Sequence, residues 1–357
     1  MRAAYDAPLA ALTTMRVGGR ADRLVCAETL DELVDAVREV DEAQEPLLVL
    51  SGGSNLVVAD EGFRGTVVQV ANRGVRVESR DDCSGVTLRV AAGESWDDLV
   101  LRAVVEGWSG IEALSGIPGC VGSTPVQNVG AYGQEVADTI AQVRVWDRSR
   151  EAVRTLAAAD CGFTYRDSLF KRSAGRFVVL EVVFQLPIGD LSAPVRYGDL
   201  AAALEVAEGE RVPLADAREA VLAQRRRRGM VLDPADHDTW SCGSFFTNPI
   251  LSQQDFEVLQ GRVAARLGPD GPTLPRWNDA AGVKTSAAWL IERAGFGKGF
   301  GMPGPAALST KHALAVTNRG SASAADIVAL ARAVRDGVEA AFGIRLVNEP
   351  VLVGLSL

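Results

Sequence analysis

Between Ser115 and Gly133 the chain reads Ser-Gly-Ile-Pro-Gly-Cys-Val-Gly-Ser-Thr-Pro-Val-Gln-Asn-Val-Gly-Ala-Tyr-Gly, five glycines and two prolines in nineteen residues. Such a run cannot be the interior of a helix or a central strand, because glycine loses the most backbone freedom on folding and proline withholds a donor. It must be a long loop held by a scaffold. Glycine also lets backbone N–H groups approach an anion with no Cβ in the way, and Ser and Asn add short donors. A shorter segment of the same kind, Ser51-Gly-Gly-Ser-Asn55, follows the apolar run Leu47-Leu-Val-Leu50. Alone, the short segment reads as a tight turn; the long one exceeds what a turn requires. Neither loop has the dinucleotide spacing Gly-x-Gly-x-x-Gly or the phosphate-loop spacing Gly-x-x-x-x-Gly-Lys-Ser/Thr, and Gly295-Phe-Gly-Lys-Gly-Phe-Gly301 misses both. A nucleotide held here is held by another type of fold.

Charge and composition narrow the chemistry. With 37 Lys and Arg against 46 Asp and Glu, the chain of 357 residues carries a net charge of −9. That balance argues against nucleic acid or an anionic membrane as partner, since both need a broad basic face. A small anion held by a few local cations stays compatible with it. No stretch reaches eighteen consecutive apolar residues, and the N-terminus lacks a signal-like apolar run, so a cytoplasmic protein is expected. The two histidines, His237 and His312, and five scattered cysteines supply no metal-ligand spacing and no histidine-based triad. The cysteines read as reduced thiols, most of them buried. Any chemistry therefore leans on a cofactor and on Arg, Ser, Glu, Lys or Tyr.

Local patterning predicts an α+β protein. Thr29-Leu-Asp-Glu32 is a capping box ahead of Leu30, Leu33, Val34 and Val37, which predicts a helix over roughly 29–43. Strands are expected at 47–50, 56–58, 65–70, 86–90, 143–146 and 177–184, with a capped helix starting at Ser95. From about 232 the pattern becomes helical, with Ser-x-x-Asp starts at Ser252 and Ser323. The run Gln224-Arg-Arg-Arg-Arg-Gly229 reads as a solvated helix end, and Trp240, Trp277 and Trp289 as core. The expected division is 1–70, then 71–231 with 344–357 returning to it as a strand, then 232–343.

Seven segments, in order along nearly the whole chain, resemble the UDP-N-acetylenolpyruvoylglucosamine reductase (MurB) family of bacterial peptidoglycan synthesis. They are Ser51-Gly-Gly-Ser-Asn-Leu56, Gly116-Ile-Pro-Gly-Cys-Val-Gly122, Gln127-Asn-Val-Gly-Ala-Tyr-Gly133, Tyr165-Arg-Asp-Ser-Leu-Phe-Lys171, Arg196-Tyr-Gly-Asp-Leu200, Gly243-Ser-Phe-Phe-Thr-Asn-Pro249 and Asn348-Glu-Pro350. The resemblance implies a vanillyl-alcohol-oxidase/PCMH-type fold, with two α/β subdomains around non-covalent FAD and a C-terminal α+β substrate-binding domain. It implies that NADPH reduces FAD and that the flavin then reduces the enolpyruvyl ether of UDP-N-acetylglucosamine to give UDP-N-acetylmuramate. Flavin contacts are expected from Ser51, Gly52, Gly53, Ser54 and Asn55, from Gly116, Ile117, Pro118, Gly119, Gly122 and Ser123, and from Gln127, Asn128, Gly130, Ala131 and Tyr132. Only small-molecule partners are expected, with no metal, no nucleic acid, no membrane and a monomeric chain.

The same resemblance assigns the chemistry. Hydride addition to a vinyl carbon needs the adjacent carboxylate to accept an electron pair, and a guanidinium, always charged and able to fork onto a carboxylate, suits that charge. Arg166 matches that arginine; a surface ion pair with Asp167 is its plainer reading. Ser244 matches the donor that protonates the α-carbon, and Glu349 the residue that helps hold the enolate. Glu349 departs in register, since the family shows Leu-Glu-Pro-Glu-Val where this chain has Leu346-Val-Asn-Glu-Pro-Val351. Tyr197 matches the tyrosine of a mobile loop that closes on the sugar nucleotide, and Asn248 and Lys284 match substrate contacts. Where the family often has a phosphate-facing lysine this chain has Met230, leaving one of Arg225 to Arg228 to supply the cation. An FAD oxidase with flavin tethered through Cys120, and a non-catalytic flavin or sugar-nucleotide binder, are the rival readings.

Overall fold

The computed structural model describes residues 1–268 and 270–357. The chain divides into two compact units: Met1–Ala7, Ala21–Gly53 and Phe63–Val231 form the first, and Pro8–Arg20, Ser54–Gly62 and Leu232–Leu357 the second. Residue 70 is thus not a boundary. The short segment around Leu56 leaves the first unit and joins the second.

The first unit is built on two sheets. One has the order Arg2–Pro8, Arg20–Ala27, Phe63–Val70, Leu47–Leu50, and Phe63–Val70 runs parallel to both of its neighbours. Between its strands runs the helix Leu30–Glu42, started by the Thr29 hydroxyl, which accepts the Glu32 N–H at 3.2 Å. Leu33, Val37 and Val40 lie on its buried stripe. The other sheet is antiparallel, in the order Ala152–Ala157, Ile140–Asp147, Phe177–Leu186, Gly85–Ala91, Val75–Asp81. Its Val- and Leu-rich strands pack with the helix Trp96–Val105 around Trp96, Trp108 and Phe184, all essentially closed to solvent. A smaller cluster of Val195, Leu200, Val212, Ala217 and Val221 lies under the helices Gly198–Leu204 and Leu214–Arg227.

In the second unit, Phe245, Phe246, Phe256, Leu290, Ile327 and Phe342 form the core. The helix Ala324–Phe342 presents Ile327, Ala331, Val334, Val338 and Phe342 along one stripe. Burying each of the larger of these side chains contributes on the order of 1.5–3 kcal/mol. The C-terminal strand is shorter than expected, Val351–Val353, and pairs in parallel with Leu56–Val58. Both strands belong to the second unit, so this return does not rejoin 71–231. Trp277 is also corrected: it is 49 % exposed on a small sheet edge rather than in the core. All five cysteines are free, and only Cys161 and Cys242 are buried. No helix among the described residues is long and apolar enough to cross a membrane.

Candidate active site

In the first unit the two Gly-rich loops meet backbone to backbone. A Cβ on Gly52 would lie 2.4 Å from the Gly119 Cα, and one on Gly122 would lie 2.4 Å from the Ala92 Cβ. Left-handed backbone at Gly53 (φ +61°), Gly116 (φ +70°) and Gly119 (φ +117°) turns successive peptides without side-chain cost. Glycine at these positions puts no Cβ of its own beside the peptide groups, the type of backbone that lets N–H groups reach a pyrophosphate, and it fits a flavin dinucleotide. The loop is anchored from outside by Asp97, which accepts the Gly116 N–H at 2.6 Å and holds Arg218 by two bonds at 2.7 and 2.9 Å. Against the cost of burial, Arg218 and the Gly116 amide hold the Asp97 carboxyl below its usual range. A second anchor is Glu112, 2 % exposed, whose carboxylate accepts from Gly110 N, Gln134 Nε2 and Ala193 N at 2.6, 2.9 and 2.6 Å. Ala193 leads into the Tyr197 segment, so one carboxylate ties that segment to the long loop. Neither acid carries a local sequence signature; apart from Gly110 beside Glu112, their partners are distant in the chain.

The end of the long loop meets the turn that carries Arg166. Thr164 and Asp167 exchange backbone hydrogen bonds at 3.1 and 3.2 Å, with Arg166 at φ +54° inside the turn. The Arg166 guanidinium donates to the carbonyls of Asn128 at 3.3 Å and Gly130 at 2.7 Å and lies over the Tyr165 ring. Asp167 pairs with Arg172.

Tyr197 begins the helix Gly198–Leu204 and meets Tyr132 edge to face, ring centroids 5.4 Å apart. The arginine run ends the helix Leu214–Arg227 as expected, with Arg226 and Arg227 exposed, but Arg225 and Arg228 are partly buried. Arg225 donates to the Met230 carbonyl at 2.7 Å, and its Nε is closed to solvent with no hydrogen-bond partner among the described residues. Burial lowers its pKa to about 10, which leaves it charged at neutral pH, and Tyr132, Asp97, Arg166 and Arg228 are the groups whose fields it feels. Arg228 pairs with Asp199 at 2.8 Å. Against the cost of its burial, Tyr132, Tyr197 and Asp199 hold its guanidinium above the usual range. Burial pushes the Tyr132 phenol up. The first unit therefore gathers Arg166, Arg225 and Arg228 near two tyrosines, a focused positive site in an acidic chain.

The second unit joins the loop that carries Ser244 to the segment that carries Glu349. The Glu349 N–H donates to the Phe245 carbonyl at 2.9 Å, and Phe246 bridges Asn348. Asn55, expected at the flavin, belongs to this unit; its Nδ2 donates to the Glu349 carbonyl at 3.2 Å and its own carbonyl accepts from Val351. Glu349 lies just ahead of the strand rather than within it. Its charge is felt at Cys242, whose thiol is pushed up to about 12 by burial first and by Glu349 in addition. The Ser244 loop is fixed at Ser241, whose carbonyl accepts the Thr14 hydroxyl at 2.6 Å, and at Phe245 N, which donates to the Leu314 carbonyl at 2.8 Å. Asp238, 4 % exposed, accepts from Thr310 N at 2.9 Å and Arg319 at 2.7 Å, tying down the approach to that loop. Asn248 accepts the Ala287 N–H at 3.0 Å, and Lys284 sits in register between Ile250 and Trp277 on neighbouring strands.

Two features stand apart from these groups. The spacing Gly-x-Gly-x-x-Gly does occur once, at Gly299-Phe-Gly-Met-Pro-Gly304. It follows the helix Ala287–Arg293 and precedes the strand Ala306–Leu308, the reverse of the strand–loop–helix order that a dinucleotide fingerprint needs. A cavity of about 530 Å³ lined by Arg38, Asp41, Trp146, Arg148 and Arg176, among others, shares no residue with the Gly-rich loops. Its arginines pair with Asp35, Asp41 and Asp147.

Comparison with known proteins matches these two halves. Residues 21–156 fit an FAD binding domain, and residues 233–353 fit the C-terminal domain of UDP-N-acetylenolpyruvoylglucosamine reductase. The UDP-N-acetylenolpyruvoylglucosamine reductase of Thermobifida fusca is 57% identical, over 99% of both chains. That of Mycobacterium tuberculosis is 52% identical, over 98% of this chain and 95% of its own. The crystal structure of the Thermus caldophilus reductase superposes with a TM-score of 0.64 at 25% identity, covering 99% of this chain and 98% of that one. The fold is accordingly an α+β arrangement with an FAD-binding domain, its cofactor is FAD, and the chain belongs to the UDP-N-acetylenolpyruvoylglucosamine reductase family.

Proposed function

We propose that this chain reduces the enolpyruvyl ether of UDP-N-acetylglucosamine to the lactyl ether of UDP-N-acetylmuramate, with NADPH as reductant, as a cytoplasmic enzyme. The observation that carries the reading is the hydrogen bond from Glu349 N to Phe245 O at 2.9 Å, which ties the segment of Glu349 to the loop of a hydroxyl donor, Ser244. The backbone of residues 51–53 and 116–122 would hold FAD, which when bound would supply the two-electron relay from NADPH to the vinyl carbon. Arg166 stabilises the charge that the substrate carboxylate takes up, its guanidinium already aimed by the carbonyls of Asn128 and Gly130. Ser244 delivers the proton to the α-carbon; a hydroxyl is acid enough for so basic an acceptor. Glu349 meets the enolate oxygen. Arg225, partly buried beside Gly116 and Tyr132, together with Arg228 supplies the positive charge for the diphosphate where the family has a lysine, and Tyr197 closes over it. Asn248 and Lys284 hold the far end of the sugar nucleotide.

The test is NADPH oxidation, followed by its absorbance, with and without UDP-N-acetylglucosamine enolpyruvate. Substrate-dependent turnover with formation of the muramate is expected. Oxidation that needs only O₂ would identify an oxidase, and flavin binding with no turnover a mere binder.

A further inference from the structure

Asn128 stands in the long Gly-rich loop, where a flavin contact is expected, yet its side chain is turned into the protein. It is 1 % exposed. Its Nδ2 donates to Glu135 Oε2 at 2.6 Å and to the Thr164 carbonyl at 3.1 Å, and its Oδ1 accepts the Ala137 N–H at 3.2 Å. Both amide hydrogens are therefore committed, and a flavin contact from this side chain would break one of these bonds. Thr164 is the first residue of the turn that carries Arg166, and the Asn128 carbonyl itself accepts from the Arg166 guanidinium. One residue thus grips the arginine twice, through its turn and through its head group. Lys171 grips the other side, donating from Nζ to the Arg166 carbonyl at 2.8 Å.

Backbone conformation explains why the grip is needed. Arg166 sits at φ +54°, a region that side chains other than glycine and asparagine disfavour, and such a residue persists only where its surroundings over-determine it. Asn128 is itself at φ +47°, which asparagine tolerates. Asparagine is the residue that combines that tolerance with two donors and an acceptor on a short stem. Aspartate lacks the donors and would face the Glu135 carboxylate, and glutamine is a methylene too long.

We infer that Asn128 is a positioning residue for Arg166: a strut that holds the strained arginine turn in register with the flavin loop, while the loop's backbone serves the flavin. The inference deepens the proposed function and rests on its assignment of Arg166. Its test separates three steps in the FAD-loaded enzyme. Asn128→Gly deletes the side-chain grip without adding backbone strain and keeps the carbonyl that meets the guanidinium, and Asn128→Asp keeps the fold-compatible shape while removing the donors. Both are expected to slow reoxidation of prereduced flavin by the enolpyruvyl substrate about 10- to 100-fold, in kcat rather than KM, as a small misplacement of a catalytic group does. FAD affinity, read by fluorescence quenching, and the rate of flavin bleaching by NADPH should stay within about twofold. In an Arg166→Ala background, Asn128→Gly should cost nothing further, because a strut has no effect once its load is gone.

Multiplying effects in the double variant would overturn the inference alone, as would a loss of FAD affinity, which would make Asn128 a flavin ligand. Failure of both Asn128 variants to fold overturns it too, since the strut would then serve the fold. A native rate in Arg166→Ala by itself would overturn the underlying assignment of Arg166, and this strut with it.

Discussion

A serine hydroxyl is a weak acid, so Ser244 matters only where the acceptor is strongly basic and no water takes its place. Its loop is pinned on both flanks, at Ser241 by Thr14 and at Phe245 by Leu314. Removing the hydroxyl should therefore leave the loop standing. On the proposed reading Ser244→Ala slows only the step that reduces the enolpyruvyl ether, by about 10²- to 10⁴-fold, while NADPH still bleaches the flavin at the native rate. Equal slowing of both half-reactions in stopped flow would make Ser244 structural. Glu349 is tested by the contrast of two variants. Glu349→Ala should cut the same step by roughly 10²- to 10³-fold with substrate affinity nearly unchanged, and Glu349→Gln, which keeps a donor, should cut it less. A near-native rate for the alanine variant would place the family's glutamate function elsewhere on the chain.

At the scale of elements, Asp147 is the point where three strands are tied at one end. It closes the strand Ile140–Asp147 and accepts from Arg176 at 2.9 Å twice, from Arg154 at 2.9 Å and from Ser149 at 2.8 Å, with no exposed side-chain surface. The Arg176 hydrogen bonds, and after them Ser149 and Arg154, overcome desolvation and hold its carboxyl far below the ordinary value. A depressed pKa stabilises the fold in full above the unfolded carboxylate range, and that stabilisation is lost as pH falls toward the folded value. Asp147→Asn should cost roughly 2–3 kcal/mol at neutral pH, less than a fully buried pair because the arginines keep some solvent. The variant should also flatten the fall of Tm below about pH 5; an unchanged acid profile would show that the carboxylate carries no such linkage. The helix Ala324–Phe342 offers a second element-scale check. Its first turn is held by the Ser323 hydroxyl, which accepts Asp326 N at 3.1 Å, and by Asp60, whose carboxylate accepts Ala324 N at 2.7 Å and Ala325 N at 3.0 Å. Ser323→Ala and Asp60→Ala should each cost about 1 kcal/mol in urea unfolding, and effects within a few tenths would mean that water replaces them.

For the whole molecule, flavin is expected to be held without a covalent bond, since His237 and His312 both belong to the second unit and not to the Gly-rich loops. The purified protein should be yellow and release intact FAD on heat or acid treatment; flavin that stays with the denatured chain would contradict this. Much of the architecture was legible in the chain itself. Helix starts at Thr29, Ser95, Ser252 and Ser323 stand where their capping signals lie, because a cap is a bond between residues three apart. The long valine-rich runs became strands for a similarly local reason, and the ordered motifs sufficed to recognise the family. What the chain alone left undecided depends on partners far away in sequence. Asp97 meets Arg218 across 121 residues, Glu112 meets Ala193 across 81, and Asn55 meets Glu349 across 294. The C-terminal strand found Leu56–Val58, Trp277 came to the surface, and the Arg225 Nε was drawn out of solvent beside Gly116. A periodicity reports which face of an element is apolar, and a motif reports which chemistry a loop suits. Which carboxylate or amide then holds that loop in place is set by the packing of separate elements, and only the tertiary structure decides it.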